Sequence, residues 1–188
     1  MSPTPQIPGL NYIPDFISDI QSENLLKIID EHKWRTDLKR CVQHYGYRYD
    51  YRARLVSPQM NLGSLPGWLQ KIGAQLVEQN LFTKMPDQVI VNEYEAGQGI
   101  SAHIDCVPCF GNSIASLSLG SATEMRFQRA DEKHDLRLLP KSLMVLNGEA
   151  RSEWRHGIAA RKNDWVDGKK VARSRRVSLT FRTVRLSS

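Results

Sequence analysis

The spacing of apolar and polar residues divides the chain into a helical first part and a strand-rich remainder. Residues 22–32 (SENLLKIIDEH) carry apolar positions at helical spacing behind Ser22, a good N-cap type, and Glu23 suits the positive end of a helix dipole. An amphipathic helix is predicted there. A second is predicted over residues 66–79, where Pro66 opens the segment and Trp68, Leu69, Ile72, Leu76 and Val77 form an apolar stripe. From residue 87 the texture changes to short apolar and β-branched runs: DQVIVNEY, SIASLSLG, EMRFQRA, HDLRLLP, SLMVLNG and RRVSLTFRTVR. Gly, Pro, Asn and Asp turn signals separate them, so they read as strands.

Helices precede strands, and no helical pattern intervenes between strands. The sequence therefore implies an α+β fold, mainly β, whose antiparallel sheets form a sandwich or jelly roll with N-terminal flanking helices. One domain over residues 1–188 is expected, since this length buries a single core without disulfides or a structural metal. Residues 1–15 read as an extended, proline-rich segment with neither the basic start nor the apolar stretch of a secretory signal. Residues 161–174, charged and glycine-containing, read as a long mobile loop.

Composition fits a soluble globular protein: 40% of residues are hydrophobic, 24% are charged, and no apolar run approaches the length of a membrane span. A cytoplasmic location without membrane association is expected. Cys41, Cys106 and Cys109 are an odd, small set, which argues against a secreted disulfide framework and fits a reducing compartment. The net charge of +6 suits a polyanionic partner such as nucleic acid, although a solvated basic face would look the same.

Candidate chemistry begins at His103-Ile104-Asp105, after a strand and the turn Gly97-Gln98-Gly99, with His156 well downstream. Two imidazoles and one carboxylate on one face of an octahedral iron leave three positions for a bidentate co-substrate and dioxygen. In extended backbone His103 and Asp105 point the same way. The competing metal reading makes Cys106 and Cys109 half of a zinc site, but a second pair of soft ligands is missing, so these cysteines are expected to be buried and inert.

In RRVSLTFR, Val177, Leu179 and Phe181 alternate with Arg176, Ser178, Thr180 and Arg182. Two like charges on one strand face are costly in a core unless anions meet them, and ordinary if the face is solvated. Their backbones would be roughly 20 Å apart, so two guanidinium arms would converge on a five-carbon diacid. Asn92 and Tyr94 alternate on the preceding strand and either join that ligand or face solvent.

The ordered set Asn92-x-Tyr94, His103-x-Asp105, His156 and Arg176-x-Ser178-x-Thr180-x-Arg182 resembles the AlkB branch of the 2-oxoglutarate oxygenases, over about residues 87–185. NEYEAGQGISAHID, SIASLSLGS and SRRVSLTFRTVR are most similar to the branch that hydroxylates modified wobble uridine in tRNA. Residues 42–49 look like the family's lid segment. The resemblance implies a double-stranded β-helix core, Fe(II) on His103, Asp105 and His156, 2-oxoglutarate and O2 as co-substrates, and co-substrate contacts from Asn92, Tyr94, Arg176, Ser178 and Arg182. Ser178 stands where the DNA-repair members usually carry Asn. The chain also lacks the RNA-recognition and methyltransferase domains of the animal wobble-uridine enzyme.

Three functions compete: an oxygenase on nucleic acid, one on a protein or small molecule, and a binding module that kept only the fold. The intact triad disfavours the last. Basic charge and the lid-like segment Tyr45 to Tyr51, with Tyr47, Arg48 and Tyr49 as its substrate residues, favour a modified or alkylated base as substrate, in RNA or tRNA ahead of alkylated DNA, since aromatics stack on an exposed base. Tyr47 and Tyr49 serve equally well as strand residues packed on the core.

Overall fold

The computed structural model describes residues 4–36 and 40–186, so residues 1–3 of the segment read as extended lie outside it. The chain runs through β1 (Leu10–Ile13), α1 (Asp19–Asp30), β2 (Cys41–Tyr45), α2 (Gly67–Glu78) and β3 (Gln88–Tyr94). It continues through β4 (Ile100–His103), β5 (Phe110–Gly120), β6 (Thr123–Arg129), β7 (Glu132–Leu138) and β8 (Leu143–Leu146). A short helix, α3 (Gly148–Ser152), leads to β9 (Arg155–Ile158), β10 (Asn163–Val166), β11 (Lys169–Ala172) and β12 (Arg176–Val184).

Two antiparallel sheets make the body: a six-stranded one ordered β1-β8-β5-β12-β3-β2 and a four-stranded one ordered β4-β9-β6-β7. Ile114, Met144 and Leu146 from the larger sheet meet Met125, Phe127, Leu136, Leu138 and Ile158 from the smaller, which gives the jelly-roll core expected from the strand pattern. The outer face of the larger sheet buries Val89, Val91, Leu117, Leu119, Val177, Leu179 and Phe181 beneath Leu25 and Ile29 of α1 and Leu69, Ile72 and Leu76 of α2. Each such side chain contributes about 1.5–3 kcal/mol of hydrophobic burial. Because β12 alternates, fixing its apolar residues under the helices turns Arg176, Ser178, Thr180 and Arg182 into the space between the sheets.

Both predicted helices form, with one boundary corrected. α1 starts at Asp19, not behind Ser22, because Ser18 and Gln21 make a reciprocal capping box: the Gln21 N–H donates to Ser18 Oγ at 3.2 Å and the Ser18 N–H to Gln21 Oε1 at 2.8 Å. Ser22 already donates to the Ser18 carbonyl within the first turn. α2 starts after Pro66, as the sequence predicts.

Two other expectations are overturned. Residues 161–174 are not a loop: β10 and β11 pair as a two-stranded ribbon, and Asp167 and Gly168 both take positive φ, at 48° and 75°, as a two-residue type I′ turn requires. Cys106 and Cys109 are buried, but they are bonded to each other as a disulfide, leaving Cys41 as the free thiol. A three-residue separation in a tight turn brings the sulfurs together, which the odd total count obscures.

Candidate active site

Between the sheets lies a cavity of about 610 Å³ lined from both sides. His103, at the end of β4, is the direct cross-strand partner of His156 on β9, and Asp105 follows two residues later, where pairing has ended. One donor atom from each of the three residues lies within 4.8 Å of the others. Gly99 makes this approach possible: a Cβ there would sit 2.2 Å from the Ile158 carbonyl oxygen, so only glycine lets the turn before β4 close on the end of β9.

The donors are held in metal-ready states. His103 Nδ1 lies 2.8 Å from the Ser101 carbonyl, which only accepts, so Nδ1 carries a proton and Nε2 is the ring nitrogen left available to a metal. Burial pushes the His156 imidazole down to about 4, so it is neutral at pH 7. Its 3.6 Å approach from Nε2 to Asp105 Oδ2 is therefore two ligand atoms side by side, not an ion pair. Burial alone would raise the Asp105 carboxyl, but the Arg182 guanidinium above all, with Arg151, outweighs it and holds the group well below the usual carboxylate range. Two imidazoles and a carboxylate with open space beside them fit iron(II).

The Arg182 guanidinium donates from Nη2 to Asp105 Oδ1 at 2.6 Å and from Nη1 to Gln88 Oε1 at 3.3 Å. It is thus paired with the Asp105 carboxylate while still lining the cavity. Arg151, on α3, donates to the Asp105 carbonyl at 3.0 Å and the Cys106 carbonyl at 3.1 Å, stapling the backbone that carries Asp105. Sequence reasoning missed it, because an arginine in GEARSEW looks solvated; here it is 4% exposed.

Arg176 occupies another part of the same cavity. It is 4% exposed, its Nη2 donates to Ser118 Oγ at 3.0 Å, its guanidinium lies 5.6 Å from the Tyr94 ring centre, and its Nε has no partner. Among the described residues no carboxylate pairs with it, and burial pushes its pKa down to about 10. A buried cation held only by a hydroxyl and a ring face is costly without an anion. Ser178 sits directly between Ser118 on β5 and Asn92 on β3, and Asn92 Oδ1 accepts from Arg40 Nε at 2.8 Å. Asn92, Tyr94, Arg176, Ser178 and Arg182 all line the cavity that the triad lines.

The lid residues divide. Tyr49 lines the cavity, stacked edge-on against Tyr51 at 5.0 Å, and Tyr51 lies beneath the Arg40 guanidinium at 5.5 Å. Tyr47 and Arg48 do not line it. Tyr47 packs against the cluster of Val56, Phe110 and Val184, its hydroxyl accepting from Asn61 Nδ2 at 3.1 Å, while Arg48 is exposed beside His44 and Gln59. Beyond Tyr45 the backbone leaves the sheet, so strand alternation no longer decides which side chain turns inward. Tyr51, which ends the aromatic segment read from sequence, lines the cavity, as do Arg40 and Arg54, which were not singled out.

Residues 28–182 match the family model described as the 2OG-Fe(II) oxygenase superfamily. Among curated relatives, the uncharacterized protein L905 of Acanthamoeba polyphaga mimivirus is 37% identical over 94% of this chain and 85% of its own. An Arabidopsis thaliana protein named as an alkylated DNA repair protein ALKBH8 homolog is also 37% identical, over 95% of this chain and 59% of its own. A Xenopus tropicalis protein named tRNA (carboxymethyluridine(34)-5-O)-methyltransferase alkbh8 is 37% identical over 96% of this chain, which spans only 32% of that longer protein. The solved structure of OsALKBH1 superposes with a TM-score of 0.76 over 96% of this chain and 99% of that one, at 17% identity, a likeness of fold. With a family model matched over most of its length and a 37% identical relative covered nearly end to end, this chain belongs to the 2OG-Fe(II) oxygenase superfamily, as an AlkB-like dioxygenase with iron(II) and 2-oxoglutarate as its cofactors.

Proposed function

We propose that this dioxygenase oxidises a modified base in nucleic acid, preferentially in RNA and most particularly at a tRNA wobble uridine, within one catalytic domain. The observation that carries the reading is the joint lining of one cavity by the His103, Asp105, His156 triad, the anion-free Arg176, and the aromatic pair Tyr49 and Tyr51 with Arg40 and Arg54.

His103 Nε2, His156 and Asp105 would hold the iron. Arg176 would hold a carboxylate of 2-oxoglutarate, with Tyr94, Asn92 and Ser178 shaping the pocket, and Arg182 would keep Asp105 ionised and aimed. Loaded in this way, the centre would supply oxidising power drawn from O2, one oxygen atom going into a substrate C–H bond and the other into succinate as 2-oxoglutarate loses carbon dioxide. The chain's contribution is position: Tyr49 and Tyr51 offer ring faces to an unstacked base, and Arg40 and Arg54 offer positive charge where phosphate would enter. Unstacking costs least in a single-stranded loop such as an anticodon. The tRNA in the Xenopus relative's name supports the RNA preference, and the Arabidopsis relative's name supports the second reading, repair of alkylated DNA.

The deciding experiment incubates the iron-loaded enzyme and 2-oxoglutarate with bulk tRNA and, separately, with 1-methyladenine and 3-methylcytosine DNA, then digests and weighs the nucleosides. A gain of one oxygen on a tRNA uridine is expected. Formaldehyde release from methylated DNA with unchanged tRNA would replace this reading by the repair reading.

A further inference from the structure

We propose that the β10–β11 ribbon is a second nucleic-acid contact outside the catalytic cavity, in which Trp165 stacks on an unpaired base while Lys162, Lys169 and Lys170 meet flanking phosphates. This rests on the reading of the substrate as nucleic acid and adds a site to it.

Trp165 and Lys170 are directly opposed across the ribbon and so share one face, and Trp165 is 65% exposed. In contrast, Trp154 is fully buried, and Trp34 and Trp68 are packed against the helix-covered core. No ribbon residue joins the hydrophobic clusters, so the ribbon contributes little to the core it stands on. An isolated two-stranded hairpin is marginal in water. It nevertheless has a strong anchor: Asp164, 1% exposed, accepts from Arg173 Nη2 at 2.7 Å, Arg173 Nε at 2.9 Å and Arg161 Nε at 2.9 Å, and Arg161 reaches on to Glu124 at 2.6 Å. This network fixes the ribbon to the body of the fold and leaves Trp165 exposed.

Charge selects the partner. Lys162, Lys169 and Lys170 are exposed, Asp164 is already neutralised, and Asp167 at the tip is the one exposed carboxylate of the ribbon. Interleaved cations and an aromatic face suit a single strand, whose bases stack and whose phosphates pair with lysine, better than a protein surface. The placement agrees. A Cβ on Gly97 would touch the Lys162 stem at 3.6 Å, and Gly99, two residues on, lines the catalytic cavity. The base of the ribbon therefore lies beside the turn that helps to line the site.

The test titrates the 188-residue chain into a fluorescein-labelled anticodon stem-loop RNA and, separately, a labelled single-stranded DNA, and follows tryptophan emission in parallel. Trp165→Ala should weaken binding roughly fivefold or more. Lys169→Ala with Lys170→Ala should flatten the dependence of log affinity on log salt by roughly 1.4. Trp165→Phe should bind nearly as well as wild type but lose the RNA-induced quench. RNA-free turnover of 2-oxoglutarate and thermal stability should stay at wild-type values in all variants. Equal affinity, salt slope and quench in wild type and variants would overturn the ribbon contact and leave the substrate reading standing. Failure of wild type itself to bind RNA or DNA would overturn both.

Discussion

His103 and His156 face each other across the antiparallel pairing of β4 and β9, with ring centres 4.7 Å apart. The two imidazoles are thus a cross-strand pair, fixed by sheet register rather than by a flexible loop. Asp105 is the member of the triad without strand support, and two arginines compensate: Arg182 grips its carboxylate and Arg151 its backbone.

Arg176→Ala should raise the 2-oxoglutarate requirement by about 2 to 5 kcal/mol of lost binding, because a carboxylate entering that pocket would meet no charge. Lysine should restore only part, as it lacks the planar fork. Titration of co-substrate at saturating iron measures the effect. An unchanged requirement would assign the anion pocket to other residues.

Arg182→Ala should act on the metal instead. Freed of its guanidinium, the Asp105 carboxylate loses both its aim and its bias toward the ionised form, and metal affinity should drop by about 10- to 100-fold. Equilibrium dialysis with Fe(II) under argon reads this directly. A variant that binds metal normally but needs far more 2-oxoglutarate would move Arg182 from the ligand to the co-substrate.

Reduction of the Cys106–Cys109 disulfide should lower stability by no more than about 2 kcal/mol, since the loop it closes is short, and should leave one iron per chain. Thermal melts with and without dithiothreitol, paired with metal analysis, check both parts. Zinc bound at one per chain in the untreated protein, with no shift of the melt on adding dithiothreitol, would mean that the pair is a thiolate ligand site instead.

The ribbon anchor should weaken in acid. Burial pushes the Asp164 carboxyl up, but the hydrogen bonds and charges of Arg173 and Arg161 prevail and set it below its ordinary value. A depressed carboxylate stabilises the fold above its unfolded pKa, about 3.9, and loses that contribution as pH falls further. At pH 7, Asp164→Asn should speed hydrogen exchange of the β10 and β11 amides, and the difference from wild type should shrink below about pH 4. A difference independent of pH would rule out the ion network as the anchor.

Features set by short-range rules were legible in the sequence. The i, i+2 relation of His103 and Asp105 and the alternation of β12 are local, and the structure brings those residues to one cavity. Two signals were present but overlooked: Ser18-x-x-Gln21 marks the true start of α1, and Asp167-Gly168 between β-prone runs marks a hairpin where a loop was expected. Other features depend on distance between elements. Arg151 reaches Asp105 across 46 positions and Arg182 across 77, and nothing near either arginine in sequence announces that partner. Tyr47 and Tyr49 differ in environment because their segment lies outside the sheets, where no period sorts inward from outward.

The central claim, that the His103, Asp105, His156 cluster is the iron site driving 2-oxoglutarate oxidation, is tested most directly by metal content and succinate formation measured on the same samples of wild type, His103→Ala and Asp105→Ala. Wild type should bind one iron(II) per chain and turn over 2-oxoglutarate, while each variant should keep its fold by circular dichroism and form no succinate. Undiminished succinate formation in either folded variant would contradict the account.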